Sequence, residues 1–279
     1  GIHTQAATRL RAMSFQSCAV MASKAPGMRD ITTSDSVDAP TEAASTRILI
    51  CGSSARARSC SDATLTAAGG PRVLDGDEVI GFVGLGRMGQ AIVARLLEAN
   101  RELIVWNRSA QACDALVEHG AEMADTLGEL VERADLVLLC LGDGAAVEDV
   151  VFGEDGIAAF ASDEQMLVDL SSIDPAQTRR FAHELGQLCG MAWVDAPVAG
   201  DVRAAEDGEL LVLAGGHEDD VERVRPLLEC FARRVTRMGD TGAGQVAKLC
   251  HQMLAGAAAF ALAETIAFAE RSGIDAERL

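Results

Sequence analysis

Residues 79–108, VIGFVGLGRMGQAIVARLLEANRELIVWNR, constrain the fold more than any other part of the chain. An apolar run, Val79–Val83, breaks at Gly84-Leu85-Gly86-Arg87-Met88-Gly89, continues with helical periodicity, and gives way to a second apolar run, Leu103–Trp106. GxGxxG alone is a weak pattern, but between a strand and a helix each glycine has a physical task. Gly84 permits a tight turn, Gly86 lets the backbone approach a pyrophosphate, and Gly89 permits close packing of helix on strand. The first turn of the helix adds unpaired N–H groups and partial positive charge for the phosphates. A nucleotide-binding βαβ unit is therefore expected, with Leu85, Arg87 and Met88 beside the glycines at the cofactor.

From residue 79 onward short apolar runs alternate with helical stretches, the pattern of a parallel sheet covered by helices. Further strands are expected at 136–141, 166–169, 192–195, 210–214 and 235–237. Helices are expected at 87–99, 110–119, 126–133, 145–151, 175–188 and 218–232. Asp174 followed by Pro175 is a helix-start signal. From Gly244 to Arg271 the pattern changes to one long helix, apolar on nearly every face between Ala255 and Ala263. Such a helix has to be buried, and GIDAERL after it is too short to cover it. The expected fold is α/β: a Rossmann-type doubly wound sheet, mostly parallel, at 78–241, then the start of an all-α second domain at 242–279.

Residues 1–77 are expected to be a leader and linker without stable structure. The sequence starts at Gly1, and residues 1–29 carry Arg9, Arg11, Lys24 and Arg29 with no acid before Asp30. That pattern fits either an organellar transit segment or an inert leader, so a cytoplasmic or organellar destination is left open. The run RILIC at 47–51 is a candidate stray strand. A net charge of −18 argues against nucleic acid or an anionic membrane as partner. No run of about 18 uncharged apolar residues suggests a membrane span. The eight cysteines are scattered without CxxC spacing, which points to a reducing compartment and no structural zinc.

The end of the second strand bears on cofactor choice. An acid there accepts hydrogen bonds from the ribose 2′-OH of NAD, whereas this chain has Asn107-Arg108-Ser109. Arg108 can pair with a 2′-phosphate through charge-assisted hydrogen bonds, so NADP(H) is expected over NAD(H).

Four segments in order resemble the β-hydroxyacid dehydrogenase family, which includes 3-hydroxyisobutyrate dehydrogenases and glyoxylate/succinic-semialdehyde reductases. They are GFVGLGRMG with VWNRS, VDLSSIDPAQT at 168–178, WVDAPVAGDVRAAEDGELLVLAGG at 193–216, and GAGQVAKLCHQ at 242–252. The resemblance implies hydride transfer between a nicotinamide and a small carbonyl or hydroxy-acid substrate. It assigns Lys248 as general acid/base, a role for which an ammonium near a developing alkoxide is chemically suited. Gln252 lies at i+4 on the same face, and His251 stands where the family usually has Asn. Ser172 and Leu141, after the strands they follow or close, match cofactor-contacting positions. Two departures stand out. The family's substrate-carboxylate loop Ser-Gly-Gly is Ala199-Gly200-Asp201 here, which loses a hydrogen bond to charge worth roughly 1.5–3 kcal/mol and adds a repelling carboxylate. The family's helical domain, which closes the cleft and usually builds the dimer, is represented only by its beginning; a homo-oligomer is expected where it is complete. Two alternative functions are a non-catalytic dinucleotide-binding or oligomerisation module, and an imine reductase.

Overall fold

The computed structural model describes residues 78–279; the leader, the linker and the RILIC run lie outside the described residues. β1 (Val79–Val83) leads through the glycine turn into α1 (Arg87–Glu98), and β2 (Glu102–Trp106) pairs with β1 in parallel. Beyond β2 come α2 (Asp114–Glu118), β3 (Glu122–Met123) and α3 (Leu127–Arg133). The chain then crosses to the other side of β1 with β4 (Leu136–Leu139). α4 (Gly144–Phe152) and α5 (Ile157–Phe160) precede β5 (Met166–Asp169), and α6 (Pro175–Leu188) connects it to β6 (Ala192–Asp195). The order β3-β2-β1-β4-β5-β6 is parallel throughout. The reversal of strand order at β1 and β4 opens a crevice at their carboxyl ends, the usual ligand position in such sheets.

The strands form because their runs are apolar on both faces. Leu136 and Leu138 of β4 belong to the cluster that buries Ile92 and Leu96 of α1, while Val137 and Leu139 face Leu130, Val147 and Phe181 on the opposite side. All four β4 side chains are fully buried, the signature of a strand sandwiched between helix layers. Asp174 caps α6 through its carboxylate, which accepts from the Ala176 amide at 2.6 Å, and Pro175 occupies the first helical turn.

Past β6 the sheet changes character. β7 (Val198–Ala199) is followed by α7 (Val202–Glu206) and β8 (Leu210–Gly215), which runs antiparallel to both β6 and β7. α8 (Glu218–Leu228) returns the chain to β9 (Ala232–Gly239), parallel to β8 on its other side. Here the structure departs from the sequence expectation. The helix expected to reach residue 232 stops at Leu228, and the strand expected at 235–237 extends from 232 to 239. ARRVTRMG buries only Ala232 and Val235, so this edge strand lacks the apolar run by which the inner strands are recognised. β3, β7, α5 and α7 are also additions, each too short to show a period.

α9 (Ala243–Arg271) is a single helix of 29 residues. Its first turns pack into the sheet, where a side chain on Gly244 would collide with the Leu213 carbonyl oxygen. From Met253 to Thr265 every residue is exposed, including Met253 at 71%, Leu254 at 72% and Phe260 at 72%. The burial expected of this helix is thus not supplied by the described residues. By length and apolarity α9 would suffice to cross a membrane, but its amino-terminal turns are built into the sheet and carry the half-buried Lys248.

Candidate functional site

The glycine turn has the geometry that phosphate binding requires. Gly84 has φ 99°, the left-handed region that favours glycine. A Cβ on Gly89 would overlap the Gly84 carbonyl oxygen, so glycine there allows α1 to start against the turn. A Cβ on Gly86 would meet nothing within 4 Å among the described residues, which leaves room in front of the helix. Gly86 is also the N-cap of α1 and supplies no side-chain cap. The first-turn amides are therefore available to an anion, and the turn fits a dinucleotide pyrophosphate.

At the end of β2, the Asn107 side-chain oxygen accepts from the Leu85 amide at 3.0 Å and its Nδ2 donates to the Ser109 carbonyl at 3.0 Å. One side chain thereby fixes the glycine turn to the loop that bears Arg108 and Ser109. Arg108 pairs with Asp149 of α4 at 2.9 Å, with 76% of its side chain exposed. Exposed pairs of this kind contribute about 0–1 kcal/mol, so a stronger anion can draw the guanidinium away.

The carboxyl ends of β4 and β5 form the next wall. Leu141 follows β4, and its amide donates to Ser171 Oγ at 3.0 Å. The Ser171 amide in turn donates to Asp169 Oδ1 at 2.9 Å. Ser171 is buried, whereas Ser172 beside it is exposed. Asp169 is fully buried and its Oδ2 has no hydrogen-bond partner among the described residues. Burial raises the Asp169 pKa to about 7, with the Asp195 charge adding to the effect. The two aspartates sit opposite each other in the β5–β6 register. Burial likewise pushes the Cys140 thiol up to about 12, which keeps it protonated and unreactive.

Asp195 also anchors α9. Its carboxylate accepts from the Gly242 amide at 2.6 Å and the Gln245 amide at 3.0 Å, satisfying helix N–H groups and complementing the positive end of the dipole. Burial raises its pKa and these amide bonds oppose the rise. In the second turn, Lys248 is half-buried and its Nζ donates to the Val198 carbonyl of β7 at 2.8 Å. No carboxylate pairs with it among the described residues, and burial lowers its pKa. The structure thus brings Lys248 to the Ala199–Gly200 loop. Ala199 is buried in β7, Gly200 has φ 140°, and Asp201 caps α7 by accepting from the Ala204 amide at 2.9 Å. Gln252 is half-buried one turn beyond Lys248. His251 is exposed and turns toward an open groove of about 660 Å³ lined also by Ala199, Leu211, Val246 and Cys250.

Asp169, Ser171, Asp195 and Gln245 were not singled out in the sequence. The available signal was a polar residue closing each of two buried strands, MLVD and AWVD, with a polar side chain opening an apolar helix.

Comparison with known proteins agrees with this geometry. The family model for the NAD binding domain of 6-phosphogluconate dehydrogenase matches residues 79–239. A second, the NAD-binding domain of NADP-dependent 3-hydroxyisobutyrate dehydrogenase, matches 242–279. The chain is 38% identical over 196 residues to 3-hydroxyisobutyrate dehydrogenase of Pseudomonas aeruginosa, covering 70% of this chain and 65% of that relative. It is 35% identical over 200 residues to 2-hydroxy-3-oxopropionate reductase of Escherichia coli, covering 72% and 68%. The chain thus spans about two thirds of the length of these relatives. The fold is similar to that of Mycobacterium tuberculosis 3-hydroxyisobutyrate dehydrogenase, solved with L-serine, with TM-score 0.67 and 31% identity over 71% of this chain and 67% of that one. The glycine turn, the sheet order and these matches converge: the chain belongs to the 3-hydroxyisobutyrate dehydrogenase family of oxidoreductases and carries its NAD(P)-binding domain.

Proposed function

We propose that the chain binds NADP(H) in preference to NAD(H), and that the protein interconverts a small hydroxy acid and its semialdehyde with Lys248 as general acid/base. The observation that carries this reading is the setting of Lys248. Lys248 is half-buried, has no carboxylate partner among the described residues, and is held by the Val198 carbonyl beside Ala199 and Gly200. A structural lysine usually pairs or reaches water, because burying the charge alone is costly. Burial lowers the Lys248 pKa, which favours proton exchange in both directions.

The glycine turn, Asn107, Arg108, Ser109, Leu141 and Ser172 would hold the cofactor, and a bound nicotinamide supplies or accepts the hydride. The chain's own residues do the rest. In reduction Lys248 donates a proton to the substrate oxygen as negative charge builds there, and the Val198 carbonyl keeps the amine in place. In oxidation the neutral amine takes the hydroxyl proton. Gln252 shares the face of Lys248 and orients substrate or lysine, with His251 as a further donor at the groove. Backbone amides near Gly200 replace the missing serine hydroxyl, and Asp201 adds negative charge close by. That balance suits a larger or less anionic substrate than glyoxylate or succinic semialdehyde. The exposed apolar length of α9 supports assembly as a homo-oligomer.

Binding of NADPH and NADH, followed by turnover of a panel of aldehydes and imines, tests the reading. NADPH is expected to bind at least about tenfold more tightly, the equivalent of one hydrogen bond to a charged group. Equal affinities would remove the cofactor assignment. Turnover of an aldehyde that persists in Lys248→Ala would remove the lysine, and cofactor binding without any turnover would favour the non-catalytic module.

A further inference from the structure

We infer that Gln245 is a positioning residue, whose side-chain amide locks the helix bearing Lys248 to the loop bearing Ser172. The inference rests on the proposed roles of Lys248 and of the cofactor loops. Gln245 is 1% exposed, although it opens an otherwise apolar helix. Its Nε2 donates to the Ser171 carbonyl at 2.8 Å, and its Oε1 accepts from the Ile173 amide at 3.2 Å. A carbonyl can only accept and an amide N–H can only donate, so the two partners fix the orientation of the side chain.

These bonds reach across 72 and 74 residues of chain and bracket Ser172 on both sides. The Gln245 backbone amide is itself held by Asp195. From Ser171 the network continues to the Leu141 amide and to Asp169. The loops after β4 and β5 and the first turn of α9 are therefore one hydrogen-bonded unit, buried at Ser171 and Gln245. Lys248 lies at i+3 from Gln245 on the same helical face. A shift of the cofactor loop is transmitted through these two bonds to the helix that carries the lysine. A methionine would fill the same space but leave a buried carbonyl and a buried amide unpaired.

Lys24 and Lys248 are the two lysines of the sequence, so the full chain labelled with ¹³Cε-lysine gives a spectrum in which Lys248 can be assigned with Lys248→Arg. NADP⁺ is expected to move the Lys248 resonance and its titration midpoint in the native chain. In Gln245→Met that response should be lost, while the NADP⁺ dissociation constant stays within about threefold. Where an aldehyde is turned over, kcat should fall about 10–100-fold with little change in KM, the scale of a small misplacement of reacting groups. If Gln245→Met does not fold, Gln245→Asn serves. It stays neutral and polar but is one methylene too short to reach both the Ser171 carbonyl and the Ile173 amide, and it should also lose the response. A native Lys248 resonance that ignores NADP⁺, or a response retained in the variant, overturns the inference. A native chain that binds no NADP⁺ overturns the functional reading beneath it, and a chain that binds and responds without turnover overturns only the activity.

Discussion

Replacing Asp169 with asparagine should stabilise the folded chain at neutral and alkaline pH and leave it nearly unchanged in acid. The carboxylate is fully buried, has one oxygen without a partner among the described residues, and faces Asp195 across the β5–β6 register. Its pKa rises from 3.8 to about 7, with burial as the leading cause. A raised acid pKa means that the folded state holds a proton the unfolded state has released. This group's contribution to stability is then fully present below about pH 4 and is lost as pH rises through about 7. A shift of about three units at 1.36 kcal/mol each amounts to about 4 kcal/mol as an upper bound. Asparagine keeps an acceptor for the Ser171 amide and has no charge to bury. The stability difference between variant and native chain should therefore grow from near zero at about pH 4 to a plateau above about pH 7. For a body of about 200 residues, that upper bound corresponds to roughly 10 °C in Tm. Urea unfolding of both proteins across this range gives the difference directly, and other titrating groups cancel to first order. Parallel curves, or a variant less stable than the native chain at high pH, would refute the assignment of a costly buried charge.

Two other substitutions test the cofactor end of the site. Asp149→Asn releases Arg108 from its partner and removes a negative charge beside it. NADP⁺ affinity should rise by about two- to fivefold with NAD⁺ affinity unchanged, an effect that shrinks with added salt; calorimetric titration at two ionic strengths would detect it. Gly89→Ala places a methyl group on the Gly84 carbonyl oxygen, and either the turn or α1 must move. Affinity for both cofactors should fall by at least about tenfold while helical circular dichroism remains native, since steric insertion at one packed site costs about 1–3 kcal/mol.

The first βαβ unit was legible because two independent periods and three glycines agree there. β1, β5, β6 and α6 have the bounds expected from their residues, as both strand faces are apolar and α6 opens on Asp174-Pro175. β9 was legible only in part because Arg233 and Arg234 are exposed at the sheet edge and interrupt any apolar run. The hydrogen-bonded unit around Gln245 was not legible at all. A serine or aspartate after an apolar run looks like a turn residue, and only the fold shows that Ser171 and Gln245 meet. The motif pointed to Ser172, whereas the bonds that order that loop belong to its neighbour Ser171. Asp201 stood out as a charge in a substrate loop, and the structure gives it the additional task of starting α7.

α9 has one mechanical property that follows from its attachment. Its 29 residues extend about 43 Å at 1.5 Å per residue, yet its main grip on the sheet is at the first turns, through Asp195 and Gln245. It is a cantilever with its fulcrum beside Lys248. A tilt of about 5° at that fulcrum would leave the lysine within a few tenths of an ångström of its place but sweep the far end through about 3 Å, as the length of a rigid helix dictates. Small adjustments among buried amides at one end thus become displacements of side-chain size at the other, and a displacement imposed on the exposed end is felt, reduced by the same ratio, at the lysine.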